Sequence, residues 1–196
     1  MILEDFQDIH AGATIMVCGL GPSLPLLDDP DQFITIGLND IDAHFTPTYC
    51  LALDPQDHRL PVIASSGARA VFLGYEFLLD RLPGTTFYHP RVVTLEQGAL
   101  GVDLYGGVES TATSAIMLAI YMGAATVGLI GVDFYNAPTK RYRQWWFESS
   151  APQRNAHFSA LAEMLEGRAI QVINFSPESR LACFPKMPLK DFMEAV

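Results

Sequence analysis

Apolar residues gather into short unbroken runs at positions 13–19, 33–39, 49–54, 68–74, 126–133 and 169–175, and most of these runs close on a glycine or a polar residue. A run that is continuous rather than alternating predicts a strand covered on both faces. Residues 22–27, 56–64, 75–82, 110–123 and 154–167 lie between the runs and read as helices or short connections. Ser110 or Thr111 can cap the first turn of 110–123, and Gly167 can close 154–167. Strand alternating with helix predicts an α/β fold with right-handed crossovers. The expectation is a single Rossmann-like domain over 1–196, mostly parallel in its sheet, with helices on both faces. Two stretches depart from this wind. Residues 85–97 hold one or two short strands and 98–108 read as loop, while 136–153, with Pro138, Trp145, Trp146 and Pro152, reads as a lid-like excursion that orders on ligand binding.

Composition supports one core: 49% of the 196 residues are hydrophobic. A formal charge of −10 repels polyanions and argues against nucleic acid as a partner. The basic residues Lys140, Arg141, Arg143 and Arg154 nevertheless fall close together, either as a solvated loop or facing a phosphate. Cys18, Cys50 and Cys183 are far apart and sit in apolar runs, so they imply neither a disulfide framework nor a zinc site. The acidic start of the chain lacks the basic and apolar regions of a secretory signal, which points to the cytoplasm. Residues 110–132 carry no charge over a length that could cross a bilayer, but Gly123-Ala-Ala-Thr126 interrupts them, so the reading is a buried helix followed by a buried strand.

In doubly wound sheets ligands bind beyond the carboxyl ends of the strands, near the point where strand order reverses. The first strand is followed by Gly19-Leu-Gly-Pro-Ser-Leu24. Gly19 and Gly21 permit close backbone approach, Pro22 suits a first helical turn, and Ser23 offers a hydroxyl, so the loop reads either as a phosphate cradle or as a plain tight turn. It is neither a P-loop nor a full dinucleotide fingerprint. Asn39 and Asp54 end strands and can reach a base or a ribose, or simply start turns. Asp133, with Tyr135, ends the most apolar strand and would bring a carboxylate and a phenol to the same edge. Ser110, Thr111, Thr113 and Ser114 crowd the start of the uncharged helix and form a second candidate anion site. His157 follows the aromatic excursion and is the candidate general base. No hydrolase elbow and no metal-ligand spacing occurs.

Several segments, in order, resemble one superfamily: Cys18-Gly-Leu-Gly-Pro-Ser-Leu24, Ile36-Gly-Leu-Asn39, Leu51-Ala-Leu-Asp-Pro55, residues 114–123 running into Val127-Gly-Leu-Ile-Gly-Val-Asp-Phe-Tyr135, and Val172-Ile-Asn-Phe-Ser-Pro-Glu-Ser179. Together they look like the bacterial sialyltransferases of lipooligosaccharide synthesis and the related motility accessory factor proteins. The resemblance spans roughly 13–186. It implies a modified Rossmann glycosyltransferase that takes a CMP-activated sugar without a metal or other cofactor and inverts the anomeric centre. A histidine would deprotonate the acceptor hydroxyl, and two tyrosines would hold the departing phosphate. On this chain Gly19, Gly21, Pro22 and Ser23 match the phosphate loop, and Asn39 and Asp54 match nucleotide contacts. Thr111 falls near a nucleotide-binding serine, Tyr135 matches one phosphate-binding tyrosine and Tyr142 is a looser match for the other.

The chain departs from the pattern where Leu20 replaces an asparagine and Ala112 a glycine, and where His157 stands closer than usual to Ala160-Leu161. Related transferases assemble into homo-oligomers. The same superfamily contains an archaeal-type pterin pyrophosphokinase with magnesium-binding aspartates, which Asp40, Asp54 and Asp133 could imitate around magnesium and ATP. A third reading is a nucleotide or nucleotide-sugar binding protein without turnover. The acceptor is not legible.

Overall fold

The computed structural model describes residues 3–53, 59–74, 86–87, 110–133 and 144–195, the last from its backbone alone up to residue 154. Six strands fall where apolar runs predict them: β1 (Thr14–Cys18), β2 (Ile34–Leu38), β3 (Tyr49–Ala52), β4 (Ala70–Leu73), β6 (Thr126–Ile130) and β7 (Gln171–Asn174). A two-residue strand, β5 (Thr86–Phe87), lies in the region expected to hold one. They form one seven-stranded sheet in the order β5-β4-β3-β2-β1-β6-β7. Every pairing in it is parallel. The order reverses beside β1: the chain first winds outward through β2 to β5, then returns to place β6 on the other side.

The sheet is covered on both faces because strand residues alternate. Ile15 and Val17, with Ile36, Leu38, Tyr49, Leu51, Val127 and Leu129, pack under α2 (Thr111–Tyr121) and α3 (Gln144–Leu165). Met16, Cys18, Ile130, Ile173 and Phe175 face the other way, against Leu24, Ile41 and Phe192 of α4 (Leu189–Ala195). Farther along that face Leu60 and Ile63 of α1 (Leu60–Ala64) cover Cys50, Ala52, Val71 and Leu73. Residues Ala112 to Ile120 of α2 are all buried, which explains a helix without charge. Among the described residues no helix is long and apolar enough to cross a membrane. Fully burying a side chain such as Ile116 or Leu118 is worth roughly 1.5–3 kcal/mol.

Three expectations are corrected. Residues 22–27 form only a 3-10 turn at Leu24–Leu26, since so few residues before the next proline turn at Pro30–Gln32 leave no room for more. The helix expected from 154 begins at Gln144, so the second half of the expected 136–153 excursion is part of α3. Pro152, counted with that excursion, lies inside the helix. An interior proline costs about 3 kcal/mol, which the twenty-two-residue α3 sustains. Finally, α4 had no counterpart in the reading, although the Pro188 carbonyl accepts from the amides of Asp191 and Phe192 in its first turn. Gly167 does follow α3 in a left-handed conformation, φ 74°, as expected of a closing glycine.

Candidate functional site

The order reversal between β1 and β6 brings two glycine-containing turns together beyond the strand ends. Pairing continues past the strands, with the Gly19 amide on the Ile130 carbonyl and the Gly21 amide on the Gly131 carbonyl, both at 2.8 Å. The contact admits no side chain: a Cβ on Gly19 would lie 2.3 Å from the Gly131 oxygen, and one on Gly21 would lie 2.3 Å from Asp133 Oδ2. Gly131 itself adopts φ 67°, which favours glycine. The close approach expected at these glycines is therefore made by the protein's own backbone and by a carboxylate.

That carboxylate belongs to Asp133, only 3% exposed. Its Oδ2 accepts the Ser23 amide at 3.0 Å and its Oδ1 accepts the Ser23 hydroxyl at 2.6 Å. Ser23 Oγ also accepts the Gly131 amide at 2.8 Å and lies 2.5 Å from Ser176 Oγ. A hydroxyl has one hydrogen and two lone pairs. With the hydrogen on Asp133, Ser176 donates to Ser23 and the hydroxyl is saturated. The loop after β7 closes the arrangement, with the Arg180 amide on the Asp133 carbonyl and Ser179 Oγ on the Val132 carbonyl. Ser176, Ser179 and Asn174, all buried, were not singled out from the sequence beyond lying in a matching segment.

The helix α2 runs back from this edge. Its last turn meets the amino edge, where Asp8 bonds the Tyr121 carbonyl and Gly12 the Gly123 carbonyl just ahead of β1. Its start therefore lies at the carboxyl edge. Ser110 is buried and extended at the N-cap, but its hydroxyl makes no capping bond, and its carbonyl instead accepts from Thr113 Oγ1 at 2.8 Å. The first-turn amides thus lack the side-chain acceptor expected of Ser110, and the turn has no acidic residue. Thr111 is half-buried beside them. An uncapped helix start of this kind favours an anion.

His157 lies on α3. Its neighbour Phe158 packs edge-on against Phe184, ring centres 6.3 Å apart, in the loop whose Pro185 carbonyl holds the amide of Asn174 at the end of β7. His157 is half-buried, and its Nδ1 is buried without a hydrogen bond. At the end of β2, Asn39 adopts φ 59° and its buried Oδ1 also lacks a partner. Next to it Asp40 pairs with Arg59 Nε at 3.7 Å. Arg59 is 8% exposed, and no local sequence pattern marks it. Asp54, Tyr135 and Tyr142 lie outside the described residues, as do Lys140, Arg141 and Arg143. Among the described residues no three His, Cys, Asp or Glu side chains are grouped to hold a metal ion. Asp133 is committed to Ser23 and Asp40 faces Arg59.

Solved structures share this architecture. The sialyltransferase CstII from Campylobacter jejuni, in complex with the substrate analogue CMP-3FNeuAc, matches 90% of this chain and 86% of its own at a TM-score of 0.62 and 14% identity. The monofunctional α-2,3-sialyltransferase Cst-I from the same organism matches 89% of this chain and 80% of its own, with TM-score 0.57 and 13% identity. A MAf glycosyltransferase from Magnetospirillum magneticum AMB-1 matches 94% of this chain but only 35% of its own, with TM-score 0.57 and 12% identity. No family model and no curated protein matches the chain. At these identities the likeness is one of architecture: this chain has the α/β fold found in the CstII and Cst-I sialyltransferases and in the MAf glycosyltransferase.

Proposed function

We propose that this protein is a glycosyltransferase that takes a sugar from a CMP-activated donor and passes it to an acceptor hydroxyl with inversion and without a metal. The observation that carries the reading is the uncapped start of α2 at the carboxyl edge where strand order reverses, in the fold of CstII, which has been solved with a CMP-sugar analogue and with CMP plus a trisaccharide acceptor. The donor phosphate lies over Ser110 and Thr111, beside the turn of Gly19, Gly21 and Pro22. Ser23 and Asp133 hold that loop in shape. Asn39 and Asp54 take the nucleoside.

Transfer needs a base for the acceptor hydroxyl and donors for the charge that grows on the leaving phosphate. His157 is the base, its buried Nδ1 carrying no hydrogen bond. Tyr135 and Tyr142 meet the phosphate with oriented O–H groups, the role that fixed donors play at a developing oxyanion.

Calorimetry with CMP, CDP, UDP, GDP and ATP, each with and without magnesium, tests the donor. Preference for CMP that is indifferent to magnesium supports the reading. Magnesium-dependent ATP binding points instead to the pterin-type pyrophosphokinase chemistry, and CMP binding without turnover of any CMP-sugar, unaltered by His157→Ala, points to a non-catalytic nucleotide-sugar binder.

A further inference from the structure

The stretch from Asn174 to Met187 leaves the edge strand β7, and its two ends are tied to each other. The Asn174 amide donates to the Pro185 carbonyl at 2.8 Å, and the Met187 amide donates to the Asn174 carbonyl at 3.2 Å. A loop closed in this way is compact and packed by its own side chains. Internal bonds stiffen it: Asn174 Oδ1 accepts the Ser176 amide at 3.0 Å, the Ser176 carbonyl accepts the Ser179 amide at 3.0 Å, and Ser179 Oγ accepts the Leu181 amide at 3.1 Å. Lys186 Nζ adds a bond to the Ser179 carbonyl. Asn174, Ser176 and Ser179 are all buried, which polar residues of a loop seldom are.

The loop also grips two other parts of the molecule. On one side it crosses the strand ends, with Ser176 Oγ donating to Ser23 Oγ at 2.5 Å, Ser179 Oγ to the Val132 carbonyl at 3.3 Å and the Arg180 amide to the Asp133 carbonyl at 3.0 Å. On the other it meets α3, where the ring of Phe184 stands edge-on to Phe158, the residue after His157, at 6.3 Å. Leu181 is buried in the same core cluster as Phe158. Covering the open edge of β7 needs only the returning end, where Lys186 bridges to Asn174. The excursion to Ser23 and Phe158 does something more. A buried polar network that is fully met gains little over apolar packing in stability, but it fixes one geometry.

We propose that the loop from Asn174 to Met187 is a brace that sets the His157 stretch of α3 against the turn after β1, and that Ser176 is its positioning residue. The assignment rests on the glycosyltransferase reading above. Ser176 is buried and acts through Ser23, which passes its own hydrogen to Asp133, two residues ahead of Tyr135. The base and the groups that meet the leaving phosphate are then held by one loop from opposite sides. A misplacement of about 1 Å caused far from the chemistry can cost a rate about a hundredfold, so the brace shows in kcat and not in affinity for CMP.

Hydrogen exchange on the full chain, for the wild type, Ser176→Ala and Phe184→Leu, reads the tie without reference to activity. Ser176→Ala leaves Ser23 its bonds to Gly131 and Asp133, so the turn after β1 keeps its scaffold. It should still speed exchange about tenfold both in residues 19–24, which it touches, and in residues 155–165 of α3, which it does not. Phe184→Leu should do the same from the other side. Faster exchange only in the stretch that each variant touches overturns the brace. Release of CMP from CMP-N-acetylneuraminate, beside calorimetry with CMP, reads its use. Each variant should lower kcat about tenfold to a hundredfold with CMP affinity kept, and the double variant should be no slower than the slower single one, because both cut one connection. An unchanged kcat, or kcat and CMP affinity falling together, overturns the positioning role. Should Ser176→Ala fail to fold, Phe184→Leu decides both measurements alone. A wild type that neither binds CMP nor releases it from the sugar overturns the donor reading, and the positioning role with it, while coupled exchange would leave the tie itself standing.

Discussion

Two parts of the same sheet edge are built on opposite terms. Where β1 meets β6, Ser23 Oγ is saturated, Asp133 receives two donors from one residue, and the glycines leave no space for a methyl group. Where β2 and β3 end, Asn39 Oδ1 and Arg59 Nε are buried without hydrogen bonds and Asn39 is in a left-handed conformation. The first is a scaffold that holds a loop. The second carries unmet polar groups, which fold stability alone does not explain. The difference teaches that glycines and a carboxylate at a switch point need not be the ligand's own contacts, and that an unsatisfied corner beside them is the better guide to where a ligand reaches in.

Substitutions should separate the two regions by what they damage. The largest effect is expected from Gly131→Ala, which puts a Cβ 2.2 Å from the Gly19 carbonyl oxygen at φ 67°. A loss of roughly 3 kcal/mol or more, about 10 °C in melting temperature, follows from strain plus backbone overlap, and thermal denaturation reads it. Next comes Asp133→Ala. It strands the Ser23 amide and hydroxyl, so a loss of about 2–3 kcal/mol is expected, and a smaller loss for Asp133→Asn, which keeps an acceptor. If Asp133→Ala melted like the wild type, the scaffold side of the comparison would be wrong.

Asn39→Gly should behave in the reverse way. Glycine takes φ 59° without strain, so stability should hold or rise by a few tenths of a kcal/mol, while affinity for a CMP-sugar donor falls. Stability lost with affinity kept would place Asn39 in the scaffold instead. The smallest effect concerns a third place, the amino edge, where His10 Nε2 meets Tyr49 OH at 2.8 Å. Burial first, and then the Arg69 charge, lower the His10 pKa from 6.5. The folded chain therefore prefers the neutral ring. Stability from this group is full above pH 6.5 and drains as pH falls below it toward the lowered folded value. The slope should vanish in His10→Gln and leave ligand binding unchanged, since the amino edge lies across the sheet from the site.

The outline of the fold was legible because buried parallel strands announce themselves as unbroken apolar runs, and all six such runs became strands. The start of α3 was not, because Pro152 reads locally as a stop while the helix continues through it. Among candidate site residues, Gly19, Gly21, Ser23, Asn39 and Asp133 were singled out by the rule that ligands bind at strand ends, and Ser110, Thr111 and His157 by helix position. Their partners were hidden. Ser23 and Asp133 are 110 positions apart and Ser176 is 153 from Ser23, so only folding reveals that one carboxylate takes both donors of the loop. Arg59 was passed over for the same reason: its meaning comes from burial beside Asp40, which no local pattern records.

The central claim is that the carboxyl edge at the strand reversal binds CMP through the start of α2 without a metal. A crystal structure of the protein with CMP in magnesium-free buffer tests it most directly. The account predicts the phosphate within hydrogen-bonding distance of the Ser110–Thr111 turn, beside the Gly21 loop, with the nucleoside toward Asn39. CMP bound elsewhere, or absent from this edge at saturating concentration, would contradict it.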